Sequence, residues 1–168
     1  SIDSLNGVIE QERQKAEQIL DQIYFYKDRY GLALRGNRYG FIDRALNTKI
    51  KFEYDEALPF DESGFARVRK YGSGQFEDYL IDTTGREYPV AYDISQLDEG
   101  IVALDLRNRG LKSLPDAVCK YLPLQILLAS DNDIENLPSE IKNLQSLTTL
   151  DLRDNELRRL PSEIGRLK

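Results

Sequence analysis

The sequence predicts a two-part α/β chain: short parallel strands stacked turn upon turn over residues 101–168, preceded over residues 1–100 by an amphipathic helix and antiparallel β-hairpins. Three observations carry this expectation. From Ile101 onward, side chains recur every 23 residues. Inside each recurrence, apolar residues alternate with the period of two that marks a strand. The composition also changes near residue 100: residues 1–100 hold 13 Lys+Arg against 19 Asp+Glu and nine of the ten tyrosines, whereas residues 101–168 hold 10 of each charge.

The recurrence is read by laying three segments beneath one another, starting at Ile101, Leu124 and Leu147. Leu114-Pro115, Leu137-Pro138 and Leu160-Pro161 coincide, as do Leu104, Leu127 and Leu150, then Val118, Ile141 and Ile164, then Tyr121, Leu144 and Leu167. Leu104/Leu106, Leu127/Ala129 and Leu150/Leu152 send alternate side chains to one face of a strand. Asn132 and Asn155 stand where the chain must turn, and an amide side chain there can satisfy backbone groups of adjacent turns. No single unit can bury its own apolar face, so stability has to come from stacking neighbours.

Residues 101–168 thus resemble the leucine-rich repeat in its 23-residue form, L-x-x-L-x-L-x-x-N-x-L-x-x-L-P-x-x-I, and the third unit matches the pattern in full. The first unit departs from it by carrying Arg109 in place of the turn Asn, and the second by carrying Ala129 in place of a Leu. The resemblance implies a solenoid with a strand-lined concave face. It implies a scaffold for binding and no reaction.

In the first part, Val8, Ile9, Ala16, Ile19, Leu20 and Ile23 recur at helical spacing, so a helix is expected over residues 7–27, laid on a neighbouring sheet or serving a partner or coiled-coil role. Glu12, Glu17 and Asp21 read as a solvated helix surface. After Tyr30 the pattern becomes β-like. Gly31-Leu-Ala-Leu34 is echoed by Gly64-Phe-Ala-Arg-Val68, Tyr39-Gly-Phe-Ile-Asp43 by Asp78-Tyr-Leu-Ile-Asp82, and Tyr54-Asp55 by Tyr92-Asp93. Residues 24–93 resemble the bacterial WG β-repeat, with Tyr39-Gly40 at the place of Trp-Gly. That resemblance implies a β-rich module without catalytic residues. No Gly-, Ser- or Pro-rich linker separates the parts at residues 94–103, so helix and hairpins are expected to cap the first repeat.

Composition narrows the chemistry. The chain has no His, no Met, no Trp and one Cys, so triads that use a His base, Cys/His zinc sites and intramolecular disulfides fall away. Cys119, in an apolar-spaced segment, reads as a buried small hydrophobe. The acidic balance argues against nucleic acid, and the longest apolar run, Ile126-Leu127-Leu128-Ala129, is far shorter than the roughly 20 residues a bilayer requires. Gly72-Ser73-Gly74 lacks a P-loop ending and reads as a hairpin turn; Asp131, Asp133 and Glu135 alternate like calcium ligands but lack the rest of such a loop. No cofactor and no metal are expected.

The predicted function is a non-catalytic protein–protein interaction module, binding a macromolecular partner on the concave face. The register puts Ala103, Asp105, Arg107 and Asn108, then Ile126, Leu128, Ser130 and Asp131, then Thr149, Asp151, Arg153 and Asp154 on that face. Ile126 and Leu128 are expected there as exposed apolar contact anchors within a polar rim. Two alternatives stand beside this reading: a sensor or adaptor region of a larger enzyme of the GTPase or protease class, in a chain expected to continue past Lys168, and a glycan-binding β module using the tyrosines of residues 24–92. The cytoplasm is the expected compartment, with the periplasm or secretion left open, since a leader already removed leaves no trace.

Overall fold

The computed structural model describes residues 2–22, 25–26 and 30–167, with the side chains of the first helix described for residues 3–14. The fold is mixed α/β, mostly sheet with few helices. It divides into two compact units, residues 1–76 with 81–86 and residues 77–80 with 87–168.

The first unit opens with helix α1 (Ile2–Gln22). It starts earlier than the sequence suggested, at Ile2, and ends earlier because Phe25–Tyr26 forms a short strand, β1, pairing Phe25 with Gly31 and Tyr26 with Tyr30. Residues 3–14 of α1 are all exposed, including Leu5, Val8 and Ile9 at 59%, 53% and 57%. The expectation of a helix laid on a sheet therefore fails over those residues: an amphipathic pattern defines a face without supplying what covers it. The positions Ala16, Ile19, Leu20 and Ile23 lie outside the described side chains.

Strands β2 (Tyr30–Arg35), β3 (Arg38–Ile42) and β4 (Thr48–Tyr54) continue the antiparallel sheet from β1, and β5 (Glu56–Ala57) pairs antiparallel with β6 (Ala66–Gly72). Phe41, Tyr54 and Phe60 are 0–1% exposed, and the Phe41 and Phe60 rings meet at 4.9 Å and 60°. Gly40 is required for this packing. A Cβ there would stand 2.8 Å from the Ile50 carbonyl oxygen and 3.0 Å from Phe52 Cα, both backbone atoms that cannot step aside.

Three turns of this unit share one chemistry. Asp43, Asp61 and Asp82 each accept a backbone N–H two residues on at 2.8–2.9 Å, from Ala45, Ser63 and Thr84. Three residues after each Asp the chain turns left-handed, at Leu46 (φ 66°), Gly64 (φ 86°) and Gly85 (φ 84°). Two of the three positions carry the glycine that conformation favours, and Leu46 occupies the third at a cost. Between β6 and β7 (Gln75–Ile81), Ser73 and Gly74 form a two-residue turn with both φ positive, the geometry that matches the twist of a hairpin.

In the second unit, β8 (Glu87–Ala91), β9 (Ala103–Asp105), β10 (Ile126–Leu128) and β11 (Thr149–Asp151) lie side by side, and each adjacent pair is parallel. Ile126 pairs with Ala103 on one side and Thr149 on the other, and Leu127 with Leu104 and Leu150, so the spacing in space is the 23-residue spacing in sequence. The parallel run starts one strand before the recurrence, with Val90 opposite Ala103.

Pro115, Pro138 and Pro161 hold φ at −59°, −68° and −64° and open the return segments: helix α2 (Asp116–Lys120) and two 3-10 helices, Ser139–Asn143 and Ser162–Arg166. These segments bury Leu114, Val118, Leu137, Ile141 and Leu144 against Leu104, Leu106, Leu127 and Ala129 in one core. Cys119 belongs to this core at 2% exposure, and burial pushes its thiol pKa up. Burial fades along the repeats: Leu137 is 7% exposed, its counterpart Leu160 56%.

Candidate interaction surface

Between strand and return segment each repeat makes the same corner. Asn108, Asp131 and Asp154 sit there with φ of 56°, 57° and 53°, a left-handed conformation that Asn and Asp tolerate better than bulkier side chains do. The next residue but zero in the second and third units, Asn132 and Asn155, turns inward. Asn132 Oδ1 accepts the N–H groups of Arg109 at 2.9 Å and Leu111 at 3.1 Å, while its Nδ2 donates to the carbonyls of Leu106 and Ala129 at 2.9 and 3.0 Å. Asn155 repeats the pattern one unit on, accepting from Ile134 N–H at 3.0 Å and donating to Ala129 and Leu152 carbonyls at 2.9 and 3.0 Å. Each amide therefore ties its own corner to the preceding unit, as expected from its place in the recurrence.

Arg109 takes the equivalent place in the first unit and does something else. Its Nη2 donates to the Tyr92 carbonyl at 2.8 Å, and its charge helps, after the hydrogen bonds from Ser95, to hold the Asp93 carboxyl below the ordinary aspartate range. Sequence reading registered Arg109 as a departure and missed this role; the signal was its position 23 residues before Asn132.

The predicted binding residues do come together by register. Leu128 pairs with Asp105 on one side and Asp151 on the other, and Ile126 with Ala103 and Thr149. Beyond the strands the ladder continues, with Asn108 N–H donating to Ser130 O at 3.2 Å and Asp131 N–H to Arg153 O at 3.1 Å. Arg107 folds back along its strand onto Asp105, donating from Nε at 3.0 Å to one carboxylate oxygen and from Nη2 at 2.9 Å to the other. Arg153 makes the same two-pronged contact with Asp151, at 2.9 and 2.8 Å. Fork geometry of this kind is the strong form of an ion pair. The Arg153 hydrogen bond is the largest influence holding the Asp151 carboxyl below its usual value.

Exposure corrects the sequence reading. Ile126 and Leu128, expected as open apolar anchors, are 1% and 0% exposed, and Ala103, Asp105, Ser130 and Asp151 are buried too. The reason is that alternation assigns a residue to a face without saying whether that face meets water. Parallel strands are commonly covered on both faces and then read as an unbroken apolar run, which Ile126-Leu127-Leu128-Ala129 is. Of the predicted residues, Asp131, Arg153, Asp154 and Asn108 are exposed and Arg107 and Thr149 half-buried. The accessible part of the predicted face is thus a polar rim at the corners. Ser130 Oγ donates to Asp131 Oδ2 at 3.0 Å within it.

Among the described residues no group of three His, Cys, Asp or Glu could hold a metal ion, and no helix is long and apolar enough to cross a membrane. The glycan reading relied on the tyrosines of residues 24–92. Tyr54 is 1% exposed, while Tyr71 at 57% meets Phe76 edge-on at 5.1 Å and 63°.

An array of parallel strands spaced by 23 residues and tied by corner asparagines is the geometry of a repeat protein, and comparison with known proteins identifies the repeats. Residues 146–167 match the family described as Leucine Rich Repeat, and residues 39–72 match the family described as WG containing repeat. The chain carries both. Among solved structures it is similar to an LRR protein of Leptospira interrogans, with 32% identity over 47% of this chain and a TM-score of 0.40. The match spans 22% of that protein's chain. No curated protein matches the sequence.

Proposed function

We propose that this chain is a non-catalytic protein-interaction module in which residues 101–167 form a short solenoid and engage a protein partner along its corner rim. The leucine-rich repeat at 146–167 supports the class of function. The observation that carries the location is the split in exposure: strand residues of the predicted face are buried, while Asn108, Asp131, Arg153 and Asp154 stand in solvent on adjacent corners. Recognition then rests on directional polar contacts from a rigid frame. The Asn132 and Asn155 ladder holds the corners at fixed spacing, and the forked Asp151–Arg153 contact fixes one guanidinium in advance, which lowers the entropy lost on binding.

The test is affinity capture from lysate of the source organism with the 168-residue chain and with its Asp131→Lys, Arg153→Glu, Asp154→Lys variant, both shown to have the same thermal midpoint. Proteins held by the wild type are expected to be lost or reduced at least tenfold on the variant. The same set at the same abundance on both would remove the rim from consideration.

A further inference from the structure

Helix α1 presents an unused surface with a specific period. Ile2, Leu5, Ile9, Glu12, Ala16 and Ile19 follow one another at spacings of 3, 4, 3, 4 and 3, the alternating a and d positions of a heptad. Only Glu12 breaks the apolar series. Among the described side chains of this helix, 3–14, every one is exposed, so Leu5, Val8 and Ile9 have no cover from their own chain. A helix of this length carrying Gly7 in its interior is marginal in water by itself and depends on packing of its apolar stripe. A stripe repeating every 3.5 residues fits a second helix of the same period.

We propose that α1 pairs with α1 of a second copy of this chain as an antiparallel two-stranded coiled coil. The charge pattern chooses the orientation. In a parallel, in-register pair the two Glu12 carboxylates would face each other in the seam, a like-charge contact in a desolvated place. Run antiparallel with residue numbers in each facing pair summing to 21, every a position meets a d position: Ile2 with Ile19, Leu5 with Ala16, and Ile9 with Glu12. Each Glu12 then faces Ile9, and the two carboxylates fall in different layers. The described helix spans 21 residues, about 31 Å, which accommodates all six layers. The pairing surface belongs to the first unit and is independent of the corner rim.

Sedimentation equilibrium of the full chain at 100 μM is expected to give twice the 19.3 kDa chain mass, and Leu5→Glu with Ile9→Glu to return it to 19.3 kDa. Glu12→Leu, which completes the apolar series, is expected to tighten the dimer at least tenfold. A 19.3 kDa wild type that stays monomeric with Glu12→Leu overturns the proposal, as does a dimer that the double glutamate variant leaves intact. Orientation is read with a short bis-maleimide. Asn6→Cys mixed with Arg13→Cys is expected to cross-link in preference to either alone, whereas dominant Asn6→Cys self-linking means parallel pairing and refutes the antiparallel form. Cys119, the native thiol, is 2% exposed and does not compete.

Discussion

Replacing Asn132 by Ala tests how the repeats are held together. The amide is 6% exposed and makes two accepted and three donated hydrogen bonds of 2.9–3.2 Å that cross from one unit to the next or close its own corner. Alanine removes all five. Arg109 is exposed, so its N–H regains water, and the Ala129 carbonyl keeps its hydrogen bond from Asn155 Nδ2; Leu106 is buried, so its carbonyl loses its donor without replacement, and the half-buried Leu111 N–H loses its acceptor. A buried polar group left unsatisfied costs about 1–3 kcal/mol. With one such group fully buried and a second half-buried, the expected loss is ~2 kcal/mol, a large share of the roughly 5–15 kcal/mol typical of a domain. For a chain of this size that corresponds to a fall in thermal midpoint of about 4–8 °C. Asn155 is an internal control: half-buried rather than buried, with the same bonding pattern, it should cost about half as much on conversion to Ala. The measurement is the unfolding midpoint by circular dichroism and calorimetry. Equal losses for the two variants, or a loss below ~0.5 kcal/mol for Asn132→Ala, would refute the claim that this amide carries the coupling between units.

Three further outcomes follow from the same geometry. Leu128→Asp places a third carboxylate between Asp105 and Asp151 at a site of 0% exposure, so it should destabilise by more than ~4 kcal/mol; an unchanged thermal midpoint would mean that the face is open. Leu46→Gly relieves a left-handed leucine that is 42% exposed and should raise stability by about 0.5–1 kcal/mol, visible as a higher urea midpoint; a loss would show that its side-chain contacts outweigh the strain. Asp151 has a folded pKa below its 3.8 reference value, chiefly through Arg153, so its ion pair stabilises the fold fully above that value and loses its effect as pH falls through the lower folded value. The gap in urea midpoint between wild type and Arg153→Gln should therefore be constant from pH 7 to about 5 and close below about 4. A gap that does not narrow at all as pH falls from about 4 to about 2 would rule out this linkage.

The parts of the fold legible in the sequence are those fixed by local period. Ile126 pairs with Ala103 and Thr149 because stacking equivalent places in successive units leaves no other register for their strands, and the recurrence of Leu-Pro marks each return segment for the same reason. What a period cannot express is what lies against a surface. Val8 and Leu128 both sit on apolar stripes of good period; the first is 53% exposed and the second 0%, the reverse of what was expected for each. For Leu128 a signal existed in the run Ile126-Leu127-Leu128-Ala129, where both alternating faces are apolar, unlike Ala103-Leu104-Asp105 and Thr149-Leu150-Asp151 with their acidic third place.

The substitution of Arg109 for the corner asparagine shows the same limit from the other side. An asparagine earns its place by reaching back to carbonyls of a preceding identical unit, and the first unit has none. Its predecessor in space is β8, followed by the Tyr92-Asp93 corner, where the reachable acceptor is the Tyr92 carbonyl. A longer donor fits that corner, and the adjacent Asp93 favours a cationic one. The residue that looked like decay of the motif is therefore matched to the strand it stacks upon, and Arg109 belongs to the joint between β8 and the repeats rather than to the repeats themselves.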